Sequence, residues 1–313
     1  MMKKKASTGE AQFVLNRNSW KKDFKMNGSL YIMILPVVLY YILFHYKTMY
    51  GALMAFQDFV PRRGIGGSEW IGFTHFIDLF KSSDFPRLLK NTLTISFTSL
   101  VVNFPLPIIL ALFLNEIRCS AFKRTVQTLS YLPHFISMVV LCGMVKIFVE
   151  ADGIIGGMFG NVKGTLLNNE NMFVPIYVLS GAWQGVGWGS IMYLSAIAGI
   201  DYEQFEAAEI DGAGRFRKMW SITLPSIKGT IIVLLVLNLG SIMSVGYEKV
   251  MLLYSPAIYS KADVISTYVY RMGLISQQWG FSAAVGLFNS VVNMTLVFTS
   301  NYFAKKLNGV GIY

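Results

Sequence analysis

Residues 92–114 read TLTISFTSLVVNFPLPIILALFL, a run without one Asp, Glu, Lys or Arg. At about 1.5 Å per residue such a helix is about 34 Å long, enough to cross an apolar bilayer core of about 30 Å. A surface helix of a soluble protein would bring a polar face round at every turn, and no such face occurs here. Working outward, five further segments have the same character: 29–46, 125–149, 173–199, 230–250 and 281–303. Segments 29–46, 173–199 and 281–303 carry no charge. Segment 125–149 holds only Lys146, near one end, and 230–250 holds Glu248 and Lys249 at its far end, where Glu248 could meet a cationic group or a neighbouring loop or, as an equally ordinary reading, pair with Lys249 near the surface. The expected fold is an all-α integral membrane protein with six transmembrane helices.

Composition agrees. Of 313 residues 54% are hydrophobic and 14% charged, against about a quarter charged in soluble domains, and mean hydropathy is +0.49. The tail 1–28 is basic, with Lys3, Lys4, Lys5, Arg17, Lys21, Lys22 and Lys25, and no small-residue cleavage site closely follows the first span. That span therefore reads as a retained anchor. With the tail inside, the cytoplasmic pieces 1–28, 115–124, 200–229 and 304–313 hold 16 Lys/Arg in 78 residues, against 9 in 98 outside. The positive-inside rule places both termini in the cytoplasm of a bacterial plasma membrane. The domains expected are a cytoplasmic tail over 1–28, a membrane domain over 29–303 and a second tail over 304–313. Topology accounts for the net charge of +10, so nucleic acid is not expected as a partner.

Several function classes fall away. Cys119 and Cys142 lie at different membrane levels and do not pair. His45, His75 and His134 are far apart in sequence, with no metal or catalytic-triad spacing. No Gly-Lys dipeptide exists, so the chain lacks a phosphate-binding loop and is not expected to hydrolyse ATP. No catalytic residue, metal site or bound cofactor is predicted, and His134 reads as a packing residue.

The outer stretch 47–91 mixes turn residues (Pro61, Gly64, Gly66, Gly67) with Phe56, Phe59, Trp70, Phe73 and Phe76, and reads as a small folded cap or docking surface. Pro36, Pro105, Pro107, Pro133 and Pro175 predict kinks within spans. Gly181, Gly185, Gly187 and Gly189 predict close helix packing in the fourth span.

The inner loop 200–229 carries the functional signal. It contains Glu206-Ala207-Ala208-Glu209-Ile210-Asp211-Gly212, then Ala213-Gly214-Arg215-Phe216-Arg217-Lys218-Met219-Trp220, then Ser221-Ile222-Thr223-Leu224-Pro225. The pattern predicts a short helix over 201–210, a sharp turn permitted by Gly212 and Gly214, and a second helix broken by Pro225 at the membrane entry. A helix–turn–helix of this size exceeds a connector. Its small alanines and two carboxylates suit a docked basic partner.

On these residues the chain resembles the membrane subunits of binding-protein-dependent ABC importers. The family's loop signature is Glu-Ala-Ala, three residues, Gly, nine residues, Ile-x-Leu-Pro, and Glu206, Ala207, Ala208, Gly212, Ile222, Leu224 and Pro225 match it. Asn115-Glu116, Tyr131-Leu132-Pro133-His134-Phe135-Ile136-Ser137, Met49-Tyr50-Gly51, Trp70-Ile71-Gly72 and the stretch from Val264 to Arg271 look like the oligosaccharide or polysaccharide branch. The resemblance implies a type I importer permease fold. It implies a coupling helix that docks on a dimer of ABC ATPases using ATP and Mg, with Glu206 as its main polar contact. Gly212 would set that helix's angle. The resemblance also implies a second related permease, an extracellular solute-binding lipoprotein and an oligosaccharide cargo.

In such importers substrate contacts come from the helices flanking the loop and from the last span. Candidates are Trp183, Gln184 and Trp188, then Asn238, Ser241 and Ser244, then Asn289 and Asn293; aromatic faces stack on sugars, and amides donate and accept. The competing expectation is that the Asn and Ser residues bond between helices and Trp marks the interface. Two other functions compete: an importer of a non-sugar solute, and a gradient-coupled secondary transporter. The latter usually buries acidic or histidine relays at mid-membrane, and no acidic residue lies deep in any span here.

Overall fold

The structure, a computed structural model, describes residues 19–159, 164–309 and 311. The tail 1–28 therefore lies mostly outside the described residues. Contacts divide the chain into two units, Met1–Leu53 and Met54–Tyr313. In the first, α1 (Ser19–Tyr40) continues through a π-helical turn, Tyr41–Tyr46, and keeps Pro36 inside it. Phe24–Phe56 is long and apolar enough to cross a membrane, and no residue of its membrane-length window is buried.

The second unit begins with a small antiparallel pair, β1 (Gln57–Asp58) and β2 (Glu69–Trp70). Phe56 stacks on Trp70 with centroids 5.8 Å apart and meets Phe73 and Phe76 at 5.4 and 5.5 Å. This is the folded cap expected of the aromatic stretch. Helix α2 (Thr74–Lys81) leads to α3 (Asp84–Asn103) and α4 (Pro105–Glu116). Pro105 and Pro107 occupy the first turn of α4, where a missing N–H leaves no bond unmade. As a result Asp84–Glu116 is long and apolar enough to be one crossing.

The third expected span is not straight. Helices α5 (Ser120–Tyr131) and α6 (Met138–Val149) meet at 101° across the turn Leu132–Phe135. Pro133 sits in that turn, Ile136 is extended, and Ser137 Oγ accepts the Val140 N–H at 3.4 Å to start the next helix. Proline thus produced a sharp corner here and none in α7 (Glu170–Ala198), which keeps Pro175 inside an unbroken helix. Helix α7 packs on α3, α4 and α5. Gly187 permits the last of these, because a Cβ there would overlap the Ser130 carbonyl.

Helices α8 (Glu203–Ile210) and α9 (Arg215–Lys218) form the loop elbow, followed by a π-helical turn and α10 (Lys228–Gly240). The fifth expected span, 230–250, also departs from expectation: α10 ends at Gly240 and a short α11 (Tyr247–Leu253) resumes beyond an irregular stretch. Gly240 lies against Val297. Asn293 Oδ1 accepts the freed Met243 N–H at 3.1 Å, meeting a backbone donor that lipid would leave unsatisfied. Helix α12 (Ile265–Tyr270) precedes the closing α13 (Trp279–Asn308), which packs along α10. Among the described residues three helices are long and apolar enough to cross a membrane, or five if each bent pair is one crossing. Helix α7 has the length, but its Gly, Ser, Gln and Trp residues dilute its hydropathy.

Asp263 ties the segment before α12 to α3. Its carboxylate is fully buried, accepts from Arg271 Nη2 at 2.7 Å and Nη1 at 3.2 Å, and accepts from Thr267 Oγ1 at 2.8 Å. Asn91 of α3 donates to the Asp263 carbonyl at 3.0 Å, and Thr92 accepts the Ile265 N–H at 3.0 Å.

Candidate functional site

Two places combine exposure with organised chemistry: the elbow and a cleft in the membrane domain. At the elbow, Asp201 Oδ1 accepts the Glu203 N–H at 3.1 Å and opens α8. At the other end Ala213 N–H bonds the Ala208 carbonyl at 2.8 Å while Gly212 N–H bonds Glu209 at 3.0 Å. This 6→1 and 5→2 pair closes a helix only when the residue between is left-handed, and Gly212 has φ of +73°. Gly214, the other glycine expected to turn the chain, has φ of −68°, which any residue can adopt. One glycine therefore makes the turn.

The second arm runs past Pro225. Leu224 N–H reaches back five residues to the Met219 carbonyl, and that π-turn accommodates the proline. The chain instead bends by 60° at Ile227, two residues later than expected. Lys218 Nζ bonds Glu209 Oε1 at 2.5 Å and joins the arms. That ammonium, bonded and close, holds the Glu209 carboxyl below its ordinary range, with Arg118 adding to the effect.

The elbow buries little. No residue of α8 is buried, and Glu206 and Ala207 are exposed. Ala208, Ile222 and Leu224 are half-buried and Pro225 is exposed. Ile210 is 88% exposed, Phe216 77% and Trp220 72%. These exposed apolar side chains belong to the same elbow as the exposed carboxylates of Glu206 and Glu209.

The cleft, about 480 Å³, lies between α3, α7 and α10. Of the substrate-path candidates it gathers Asn238, Ser241 and Ser244. The others lie elsewhere. Trp183 lines a separate apolar crevice with Phe148 and Pro175. Gln184 Nε2 donates to the Ile136 carbonyl at 3.1 Å and steadies the corner after α5. Trp188 stacks on His134 with centroids 4.4 Å apart, the packing role expected of that histidine. Asn293 Nδ2 donates to Ser244 Oγ at 2.8 Å, so it orients a lining residue. Asn289 Oδ1 is buried without a partner.

The cleft also contains residues that sequence reasoning passed over: Ser96, Ser99, Asn103, Tyr177 and Tyr193. Ser99 Oγ and Asn103 Oδ1 are buried there and unpartnered. Lys249, expected at the surface, is only 6% exposed. An amide inside an apolar run was the available signal for Asn103; nothing local marked Lys249.

Comparison with known proteins places this geometry. Residues 103–309 match the family model described as binding-protein-dependent transport system inner membrane component. Protein LplB of Bacillus subtilis is 44% identical over 94% of each chain. The polygalacturonan/rhamnogalacturonan transport system permease protein YteP of the same organism is 46% identical, over 91% of this chain and 90% of that one. Among solved structures, a chain of a bacterial ABC transporter involved in import of the acidic polysaccharide alginate matches with a TM-score of 0.84. It is 42% identical over 93% of this chain and 100% of that one. A second structure of a bacterial alginate ABC transporter, in complex with a periplasmic protein bound to alginate pentasaccharide, matches with a TM-score of 0.84 at 41% identity, over 93% of this chain and 99% of that one.

Proposed function

This chain belongs to the binding-protein-dependent transport system inner membrane component family, and from that premise we propose how it works as the permease subunit of a bacterial ABC importer for oligosaccharides. The observation that carries the reading is the likeness to the alginate importer chain, at a TM-score of 0.84 and 42% identity over nearly the whole length. The chain is a transport subunit; a separate ATPase supplies hydrolysis, and a solute-binding protein delivers the sugar.

Six crossings make up the membrane domain: 24–56, 84–116, the bent pair 120–149, 170–198, the bent pair 215–240 and 279–306. Both termini lie in the cytoplasm, as the charge bias argues. The elbow is then cytoplasmic, and α8 is the coupling helix. Glu206, Ala207, Ala208 and Glu209 face the ATPase, Gly212 fixes the angle of α8, and Ile222, Leu224 and Pro225 carry movement into the membrane. A rigid elbow suits this task, because a push on α8 is passed on through the Glu209–Lys218 bond and the backbone bonds around Gly212.

Between strokes the cleft takes sugar. Asn238, Ser241 and Ser244 offer amide and hydroxyl groups to it, and Tyr177 and Tyr193 offer aromatic walls. A second related permease closes the other side of the path. Reconstituting the chain with that permease, the ATPase and the solute-binding protein tests the reading. ATP-dependent oligosaccharide uptake that survives collapse of ion gradients supports it; gradient-driven uptake without ATP overturns it.

A further inference from the structure

A buried cation in a membrane protein is costly unless something binds it, and such residues generally mark a pathway. Lys249 is 6% exposed, at the start of α11. Among the described residues no carboxylate comes within ion-pair distance of it. Its sequence neighbour Glu248 is exposed. The ammonium has only neutral partners: it donates to the Tyr177 carbonyl at 2.8 Å and lies 4.5 Å from the centroid of the Tyr177 ring. These hold the side chain in place and leave its charge unbalanced.

The ammonium lies behind the cleft wall at Gly181, where no side chain covers it. A Cβ built on Gly181 would sit 3.1 Å from Lys249 Nζ and 3.5 Å from Asn103 Nδ2. Gly181, Asn103 and Tyr177 all line the cleft. Because residue 181 has no side chain, one point on the wall is within reach of an ammonium and an amide donor together. Beside it the buried Ser99 Oγ and Asn103 Oδ1 have no partners. A neutral sugar would satisfy the hydroxyl and the amide and leave the charge unmet.

We propose that Lys249 is a specificity-determining residue that binds the carboxylate of a uronic-acid-containing oligosaccharide in this cleft, with Asn103 as the second donor. The proposal rests on the importer reading and narrows its cargo. A carboxylate accepts from both donors at once, and its charge offsets the ammonium. Gly181 is kept bare so that the acid can approach.

The test uses the complete importer in proteoliposomes, with Lys249→Gln and Lys249→Arg beside the native chain. Gln retains a donor for the Tyr177 carbonyl and loses the charge; Arg retains the charge. The probes are a mixed pool of oligogalacturonates and oligoalginates, and the same pool after its carboxyl groups are reduced to alcohols. The expected result is uptake of the acidic pool by the native chain, a rise of about tenfold or more in KM for that pool in K249Q, near-native uptake in K249R, and no further loss of reduced-pool uptake in K249Q. Native uptake of the reduced pool in preference to the acidic one overturns the proposal, as does K249Q acting like the native chain or slowing both pools equally; the importer reading stands in each case. Absence of ATP-driven uptake of either pool by a native complex that still imports neutral oligosaccharides overturns the proposal alone, whereas absence of ATP-driven uptake of any oligosaccharide overturns the importer reading itself.

Discussion

Lys218 Nζ and Glu209 Oε1, nine residues apart, close the elbow with a 2.5 Å bond between its two arms. Lysine contributes a largely covered side chain, 15% exposed, and glutamate one that is 61% exposed. The carboxylate therefore has free lone pairs facing outward while it braces the turn.

The bond has a defined pH dependence. Burial does not set the Glu209 pKa; the lysine does, and it lowers it from the ordinary 4.5. A depressed carboxylate contributes above its unfolded pKa and loses that contribution as pH falls through the folded value. Coupling of ATP hydrolysis to uptake is thus expected to owe nothing to Glu209 titration between pH 8 and about 5. A Glu209→Gln variant should weaken coupling by a similar factor across that window, as measured by sugar transported per ATP.

At Gly212 a side chain would have to adopt φ of +73°. Gly212→Ala is expected to cost about 1 kcal/mol locally and to reduce uptake in part. Gly212→Pro, which cannot adopt that φ, should abolish uptake. Both chains should reach the membrane at native levels, checked by immunoblot of washed membranes.

Removing one partner of the covered Asp263–Arg271 pair leaves a charge unmet. Asp263→Asn should lower stability by about 3 kcal/mol, read as a lower Tm of the detergent-purified complex. Arg271→Lys should also destabilise, because an ammonium cannot reproduce the two-pronged contact at 2.7 and 3.2 Å.

Gly187→Leu should separate α7 from the last turn of α5, because even a Cβ overlaps the Ser130 carbonyl. A loss of about 1–3 kcal/mol is expected from such overpacking. Gly185, with nothing within 4 Å of a Cβ, lines the cleft. Gly185→Ala should keep native stability, which the same thermal measurement would show.

Charge-poor runs mark the long apolar segments, because burying a charge in lipid is costly. The elbow was legible for a similar reason: spacing from Glu206 to Pro225 is set by the turn it must make. The corners were less so. Five prolines predict kinks alike, yet Pro133 lies at a 101° corner and Pro175 inside a continuous helix. The difference lies in the packing around each, which no local pattern records. Of the substrate-path residues, Asn238, Ser241 and Ser244 meet in the cleft while Gln184 and Asn293 bond backbone. An amide on a membrane helix serves either role, and only the neighbours decide. Lys249 is the sharpest case, since its position near a segment's end suggested the surface and the fold of α11 against α6 and α7 covers it.

The central claim is that α8 bears on the ATPase. The direct measurement is disulfide crosslinking of a Glu206→Cys chain, with exposed Cys119 changed to Ser, to single cysteines placed around the ATPase groove during the nucleotide cycle. A crosslink that forms in the cytosol-facing complex and blocks uptake, reversed by reductant, is the predicted result. Labelling of position 206 by an impermeant reagent from outside intact cells, or full transport with no crosslink to any ATPase position, would contradict the account.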